Sequence, residues 1–305
     1  MMLLLKYTLM YMMVLMLVAL GGMFSERSGI INIALEGIMV IGGLVGVLMT
    51  RMLPADLPAW AMVTLSILGS AISGAIYAAL LAFASVNLKA DQTIGGTALN
   101  LLATALALVA AKRFNGSQSG KVDFDNSAFS FNIGGLTLNV FFFIGIVILI
   151  AAYVVLYRTR FGLRLSACGE HPQAADSVGI NVYKMRWCGV LISGVLGGIG
   201  GFAYIVPSVS SWNFEVGVAG MGFLALAVMI FGQWKPFHIA GAAVFFAVFR
   251  SLANIADSTV LSHLGLSKNI YNMMPFIASM IILAFTSKNS QAPKAEGIPY
   301  DKGAR

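Results

Sequence analysis

Nine long apolar runs, separated by polar segments, are the dominant pattern of this chain. Most are close to the length of about 20 apolar residues that an α-helix needs to cross the hydrocarbon core of a bilayer. None alternates between apolar and polar residues as the strands of a membrane β-barrel do. The pattern predicts an all-α, polytopic helical membrane protein. The runs are residues 3–24, 30–50, 59–86, 92–111, 139–157, 187–206, 217–234, 237–256 and 270–286.

Two of these runs are interrupted. Residues 30–50 and 217–234 contain polar or glycine residues within the apolar sequence, which favours broken or re-entrant helices. Irregular backbone at membrane depth is tolerated only where it lines a cavity or is buried in protein. Elsewhere, glycines four residues apart predict helices whose backbones approach closely. These pairs are Gly42 and Gly46, Gly194 and Gly198, and Gly197 and Gly201.

The composition excludes an ordinary soluble domain. Hydrophobic residues make up 59% of the 305 residues, charged residues 10%, and the mean hydropathy is +0.87. A soluble protein is roughly half apolar and a quarter charged, so the excess requires a lipid bilayer as the partner of the apolar surface. The net charge of +7 indicates membrane topology rather than nucleic-acid binding, because Lys and Arg collect in cytoplasmic loops.

A polar, basic island at residues 158–186 is the strongest topological signal. Its sequence, RTRFGLRLSACGEHPQAADSVGINVYKMR, is too polar for lipid, and its basic residues place it in the cytoplasm. Counting outward through nine crossings puts the C-terminus inside and the N-terminus outside. We therefore expect a transmembrane domain over residues 1–287. Residues 288–305 lack apolar periodicity and are expected to form a disordered cytoplasmic tail.

The island contains a short predicted helix that begins at Pro172, since proline is favoured in the first helical position. A small helix between two membrane spans, with basic flanks, suits the docking of a cytosolic partner. The chain would then be a transporter subunit driven by another protein. The candidate docking residues are Glu170, His171, Pro172, Ala174, Ala175, Asp176, Gly179 and Ile180.

Polar side chains inside the apolar runs are candidates for a translocation path. Asn32 and Glu36 are four residues apart and would share one helical face, and an ionisable residue in a span usually faces a bundle interior or a wet cavity. The alternative is that Glu36 caps a helix or pairs with Arg27. Thr97 and Asn100 would also share a face, with hydrogen bonding between packed helices as the alternative. The candidate path residues are Asn32, Glu36, Gly37, Thr97 and Asn100.

Enzyme motifs are missing from the sequence. It contains no phosphate-binding loop of the type Gly-x4-Gly-Lys-Ser/Thr, no His-Glu-x-x-His and no Gly-x-Ser-x-Gly, which carry nucleotide, zinc and nucleophile chemistry. We expect a transport subunit that binds no cofactor and hydrolyses no ATP itself. An ion-coupled secondary carrier remains the alternative, but it would require paired broken helices in an internal repeat, and no convincing repeat is visible.

Four segments together carry a resemblance to a known family. They resemble the permeases of ABC transporters of the ribose and branched-chain amino acid superfamily, and more narrowly the nucleoside-uptake branch that works with lipoproteins of the basic membrane protein type. The bulky turn at 233–238 and Gly95-Gly96 depart from the expected pattern. The matching segments are FSERSGIINIALEGIM at 24–39, IGGTALNLL at 94–102, residues 162–181 and residues 220–232.

The resemblance implies partners and roles. It implies a cytosolic ABC ATPase that uses ATP, a second homologous permease and an extracytoplasmic substrate-binding lipoprotein. It assigns the docking residues of the island to contact with the ATPase, and it favours nucleosides or a related polar solute as the substrate. Simple sugars and branched-chain amino acids remain alternative substrates.

Overall fold

Ten α-helices account for most of the described chain. The computed structural model describes residues 2–54, 56–115, 119–133, 136–255, 270, 273–278, 280 and 291–303. The helices are α1 (Met2–Glu26), α2 (Leu35–Met52), α3 (Ala59–Ala82, followed by a π-helical turn at Phe83–Asn87), α4 (Gln92–Asn115), α5 (Val140–Arg158), α6 (Arg160–Glu170), α7 (Pro172–Ser177), α8 (Val182–Ile205), α9 (Met221–Phe231) and α10 (Pro236–Ile255).

Seven helices in the described part of the chain are long and apolar enough to cross a membrane: α1, α2, α3, α4, α5, α8 and α10. This confirms the predicted polytopic helical fold. The run at 217–234 forms only the short helix α9, and the run at 270–286 lies mostly outside the described residues. The expected number of nine segments therefore stays a prediction.

Helix α8 lies at the centre of the bundle and is the most buried of the seven long helices in the described part of the chain. It packs against α1, α2 and α3 through glycines. A Cβ atom built on Gly42 of α2 would lie 2.3 Å from the Cα of Gly198, and one built on Gly198 would lie 2.4 Å from the carbonyl oxygen of Ser70 in α3. Real Cβ atoms essentially never come so close, so these contacts confirm the packing predicted from the glycine spacing.

Two small antiparallel sheets lie where α4 ends, α5 begins and α8 ends. Strand β1 (Lys121–Asp123) pairs with β4 (Ser211–Asn213), and β2 (Ser130–Ile133) pairs with β3 (Leu136–Asn139). We call this end of the bundle the sheet end, and the end that carries residues 158–186 the loop end. The sheets did not emerge from the sequence pattern, because each strand has only 3 or 4 residues.

The C-terminal residues differ from the expected disordered tail. Residues 291–303, which we call the C-terminal strap, lie against the loop end, where Ala295 and Tyr300 are buried. Composition indicates disorder when a segment cannot bury enough apolar surface. Here a few buried apolar side chains and backbone hydrogen bonds hold the segment against the folded loop end. The average composition of the segment does not reveal these individual contacts.

Candidate functional site

The interrupted helices predicted from the sequence meet in the interior of the bundle. Helix α1 ends at Glu26 and α2 begins only at Leu35, so residues 27–34 form a break between them. Asn32 in this break is completely buried, and its Nδ2 donates a hydrogen bond to the hydroxyl of Ser193 in α8 over 2.8 Å. The break is thus enclosed by protein, which is the condition under which irregular backbone occurs at membrane depth.

Helix α4 supplies hydrogen-bond partners for backbone groups in the break and in the first turn of α2, which have no partner within a helix. The side-chain oxygen of Gln92 accepts from the N–H of Ile31 over 2.7 Å. Asn100 accepts from the N–H of Gly37 over 2.7 Å and donates to the carbonyl oxygen of Ile33 over 2.9 Å. Because unpaired backbone groups are costly in lipid, these two amides allow the chain to leave the helical conformation here.

Glu36, in the first turn of α2, joins this helix to the short helix α9. Its carboxylate oxygens accept from the N–H groups of Gly220 over 2.8 Å and Gly222 over 2.6 Å, at the start of α9. An acceptor at this position satisfies free N–H groups and complements the positive end of the helix dipole. Glu36 therefore caps the start of α9. Capping of a helix was one of the two alternatives that the sequence offered for this residue. We call this meeting point of α2 and α9 the half-helix junction.

Glycine is required on the α9 side of the half-helix junction. Gly220 has a φ angle of +77°, a conformation that residues with a side chain rarely adopt. A Cβ atom on Gly222 would lie 2.4 Å from the backbone nitrogen of Glu36. Two helix starts can approach each other this closely only because no side chain separates them.

Four of the five candidate path residues come together at or near this break: Asn32, Glu36, Gly37 and Asn100. The predicted common face of Thr97 and Asn100 does not form. Thr97 is exposed, and its hydroxyl donates to Thr93 and Ile94 of its own helix, while Asn100 is buried. Residues three apart differ by about 60° around a helix, and the edge of the buried face falls between them.

An aromatic cavity of about 360 Å³ opens at the sheet end. The ring centroids of Tyr11 and Tyr204 are 6.3 Å apart, and the ring centroids of Tyr204 and Trp212 are 5.5 Å apart. Aromatic faces beside hydroxyl, amide and guanidinium groups form the kind of lining that binds planar polar molecules. The cavity is lined by Tyr7, Tyr11, Tyr204, Ser208, Val209, Trp212, Arg250 and Asn254.

The polar island folds into two consecutive helices at the loop end, α6 and α7. Helix α6 begins after Thr159, whose hydroxyl accepts from the N–H of Gly162 over 3.2 Å. Helix α7 begins at Pro172, as predicted. It ends at Ser177. Two residues later Gly179 has a φ angle of +83°, and the N–H of Ile180 donates back to the carbonyl oxygen of Ala175 over 3.0 Å. This glycine-terminated helix end fixes the shape of the turn.

The candidate docking residues divide between an outer and an inner face. His171, Ala174 and Gly179 are exposed, Glu170, Asp176 and Ile180 are half-buried, and Pro172 and Ala175 are buried against the rest of the island. Val178 is the most exposed apolar residue of this turn, at 75%. Our sequence reasoning did not select it, although an apolar residue directly before a helix-ending glycine is a recognisable signal.

The family model described as the permease component of a branched-chain amino acid transport system matches residues 4–284. The chain belongs to this family. The match extends from α1 to beyond α10, so it includes the half-helix junction and both helices of the polar island. This confirms the resemblance found in the sequence motifs, and we call the chain the permease from here on.

Three relatives indicate the kind of transporter. The permease is 41% identical to the nucleoside ABC transporter permease protein NupC of Lactococcus lactis subsp. cremoris, over 96% of this chain and 95% of that one. It is 40% identical to the guanosine ABC transporter permease protein NupQ of Bacillus subtilis, over 98% and 96%. It is also 30% identical to the putative glucose ABC transporter permease protein TsgC13 of Haloferax volcanii, over 82% and 76%. It is therefore a multi-pass ABC transporter permease.

Proposed function

We propose that this permease is the membrane-spanning subunit of a bacterial ABC importer for nucleosides, and that a separate cytosolic ATPase hydrolyses the ATP. The observation that carries the proposal is an identity of about 40%, over nearly the full length of both chains, with permeases named for nucleoside and guanosine transport. A second homologous permease and an extracytoplasmic substrate-binding lipoprotein complete the proposed complex.

In this proposal the loop end faces the cytoplasm. Arg158, Arg160, Arg164 and Lys184 all belong to the polar island or its edges, and basic residues near the ends of spans favour the cytoplasmic side. The C-terminal strap contacts the same end of the bundle, so it is cytoplasmic as well. The aromatic cavity and the two sheets then face the outside, toward the binding lipoprotein.

Helices α6 and α7 dock the ATPase in this scheme. Ala174 and Val178 present small or apolar side chains to solvent, and His171 is exposed at the start of the same helix. An outer face of this kind suits insertion into a groove of a partner. The buried residues Pro172 and Ala175 keep the outer face in position. A push on these helices reaches the break between α1 and α2 directly, because a Cβ atom on Gly169 would lie 2.4 Å from the carbonyl oxygen of Arg27.

The half-helix junction is the proposed moving part of the path. Coupling between a distant ATPase and the substrate requires an element with two arrangements. Helices α2 and α9 begin inside the bundle and are joined by the two hydrogen bonds of Glu36. The glycine contacts of α8 hold α2 in place, so in this proposal the start of α9 moves relative to Glu36.

The lining of the aromatic cavity favours a nucleoside as the substrate rather than a sugar or a branched-chain amino acid. A base can stack on the more exposed aromatic side chains of the lining, Tyr7 and Trp212. Aromatic stacking contributes about 1–3 kcal/mol per base in single-stranded nucleic-acid complexes. The hydroxyl of Ser208 and the amide of Asn254 lie in the same lining and can bond ribose or base edges. An aliphatic amino acid would gain little binding energy from this aromatic lining.

Uptake by the assembled transporter tests the proposal. Radiolabelled nucleosides, glucose and leucine are offered to a strain that lacks this chain, with and without a plasmid that restores it. We expect ATP-dependent nucleoside uptake only in the restored strain, and none when the partner ATPase carries an inactivating mutation. Restored uptake of glucose or leucine alone would reject the nucleoside assignment, and uptake that survives ATPase inactivation would reject the ABC mechanism.

A further inference from the structure

The C-terminal strap contacts several separate elements at the loop end. The N–H of Ala295 donates to the carbonyl oxygen of Gly169 at the end of α6 over 2.8 Å. The N–H of Gly297 donates to the carbonyl oxygen of Gly29, in the break between α1 and α2, over 3.2 Å. Neighbouring residues of one short segment thus hold the helix pair α6–α7 and the membrane break at a fixed separation.

Tyr300 anchors the far end of the strap. It is 5% exposed and packs in an apolar cluster with Cys168 of α6, Ala175 of α7 and Val182 of α8. Its ring centroid lies 5.4 Å from that of Tyr183, in an edge-to-face arrangement that is favourable for aromatic pairs. The strap therefore contributes part of the inner packing of α6 and α7.

Ion pairs continue this contact beyond Tyr300. Lys302 lies 3.9 Å from Asp176 of α7, and Asp301 lies 3.1 Å from Lys89, which precedes α4. Lys89, Asp301 and Lys302 are exposed, and Asp176 is partly buried. Ion pairs with exposed members contribute little to stability. They set the direction of the strap across the surface, and the buried contacts hold it there.

The strap also closes over a buried cation. Arg186 of α8 is 1% exposed, and its Nη1 donates to the carbonyl oxygen of Ile298 over 3.0 Å. Its Nε and Nη2 have no hydrogen-bond partner among the described residues. A buried guanidinium is costly unless it is hydrogen-bonded, so the carbonyl oxygen of Ile298 stabilises Arg186 as long as the strap is docked.

From these contacts we infer that the C-terminal strap is a positioning element of the coupling machinery. It links α6 and α7 to residues 27–34, so that displacement of the docking helices moves the membrane break instead of bending the island. The inference rests on the proposed function, because it assumes that an ATPase displaces α6 and α7. It extends that function to a segment that lies at the loop end of the bundle.

The ratio of substrate transported to ATP hydrolysed tests this inference. The assembled transporter is reconstituted in proteoliposomes with the permease as it is, with Tyr300→Ala, or with residues 291–305 deleted. We expect Tyr300→Ala and the deletion to lower the ratio about 10-fold, within the usual range of coupling between sites, while the ATPase still co-purifies. Ile298→Ala is the matched control, because that side chain is 56% exposed, and Tyr300→Phe should restore the ratio.

The outcomes separate this inference from the proposed function. If the unmodified transporter imports nucleosides and Tyr300→Ala leaves the ratio unchanged, the strap has no part in coupling. If Tyr300→Ala lowers only the yield of complex, with a normal ratio per assembled transporter, the strap is merely a folding element and the inference is overturned. If the unmodified transporter imports no nucleoside, the proposed function fails instead.

Discussion

At the scale of single residues, Asn100 and Thr97 show how differently two polar groups on one helix can act. Asn100 forms two hydrogen bonds with the backbone around the break, whereas Thr97 bonds only to its own helix. Both residues lie in the N-terminal half of α4, three positions apart. What separates them is the position of the break against α4, which depends on tertiary packing.

We expect Asn100→Leu to destabilise the permease. It leaves the N–H of Gly37 and the carbonyl of Ile33 without their partner, at about 1–3 kcal/mol for each unpaired buried group. The thermal unfolding midpoint of the purified protein in detergent measures this. Thr97→Val is the matched control and should leave the midpoint nearly unchanged. Equal midpoints for the two variants would mean that Asn100 does not support the break.

Docking of the C-terminal strap should weaken as the pH rises. Burial raises the pKa of the Glu296 carboxyl, which shares a hydrogen bond with Glu26 at the end of α1. The indole of Trp234 donates a hydrogen bond to Glu26, and the guanidinium of Arg27 donates to the carbonyl oxygen of Trp234. Because the docked state holds the proton more tightly, its stability is fully present at low pH and is lost as the pH rises through the raised pKa.

The thiol of Cys168 reports this change. It is buried in the cluster that Tyr300 completes, and its burial raises the thiol pKa to about 11. Maleimide labelling in a Cys188→Ser background should accelerate with pH more steeply in the unmodified strap than in a Glu296→Gln variant. Comparing the two at each pH removes the intrinsic pH dependence of the thiol. Identical profiles would exclude a role of Glu296 in docking.

At the scale of helices, the half-helix junction was partly predictable. Polar and glycine residues inside two apolar runs predicted interrupted helices, and the structure has α2 and α9 beginning at Leu35 and Met221. The sequence did not predict that the two interruptions meet. Glu36 bonds Gly220 and Gly222, which lie 184 and 186 positions further along the chain. Local sequence patterns carry no information about contacts at that distance.

Gly222→Ala should disrupt the half-helix junction. Its new methyl group would lie 2.4 Å from the backbone nitrogen of Glu36, so one of the two helix starts must move, and overpacking typically costs about 1–3 kcal/mol. We expect a strong loss of nucleoside uptake at equal protein in the membrane. Gly95→Ala is the control, because nothing lies within 4 Å of its added Cβ. Normal uptake by Gly222→Ala would show that the close approach is dispensable.

At the scale of the whole molecule, the position of the polar island outside the spans could be predicted because lipid excludes such a sequence. The start of α7 at Pro172 followed from proline chemistry. The packing of the C-terminal strap could not be predicted, because it depends on a surface that only the folded loop end provides. Val178 was missed for a related reason, since exposure is a property of the folded turn.

A charge at Val178 should weaken the interaction with the ATPase. Val178→Asp places a carboxylate at the most exposed apolar position of the turn, where desolvation on docking would cost several kcal/mol. Co-purification of the ATPase should fall about 10-fold or more, for a loss of at least about 1.4 kcal/mol. Val216→Asp is the matched control, because Val216 is 62% exposed near the sheet end. Equal co-purification for both variants would move the docking surface elsewhere.

The glycine contacts of α8 limit how any transport cycle can proceed. Gly42, Gly74 and Gly198 bring the backbones of α2, α3 and α8 so close that a single added methyl group would overlap main-chain atoms. Helices joined this tightly rotate or tilt as one body, and they do not slide past one another. In the proposed importer, access to the two faces of the membrane would then alternate by hinging around this rigid block.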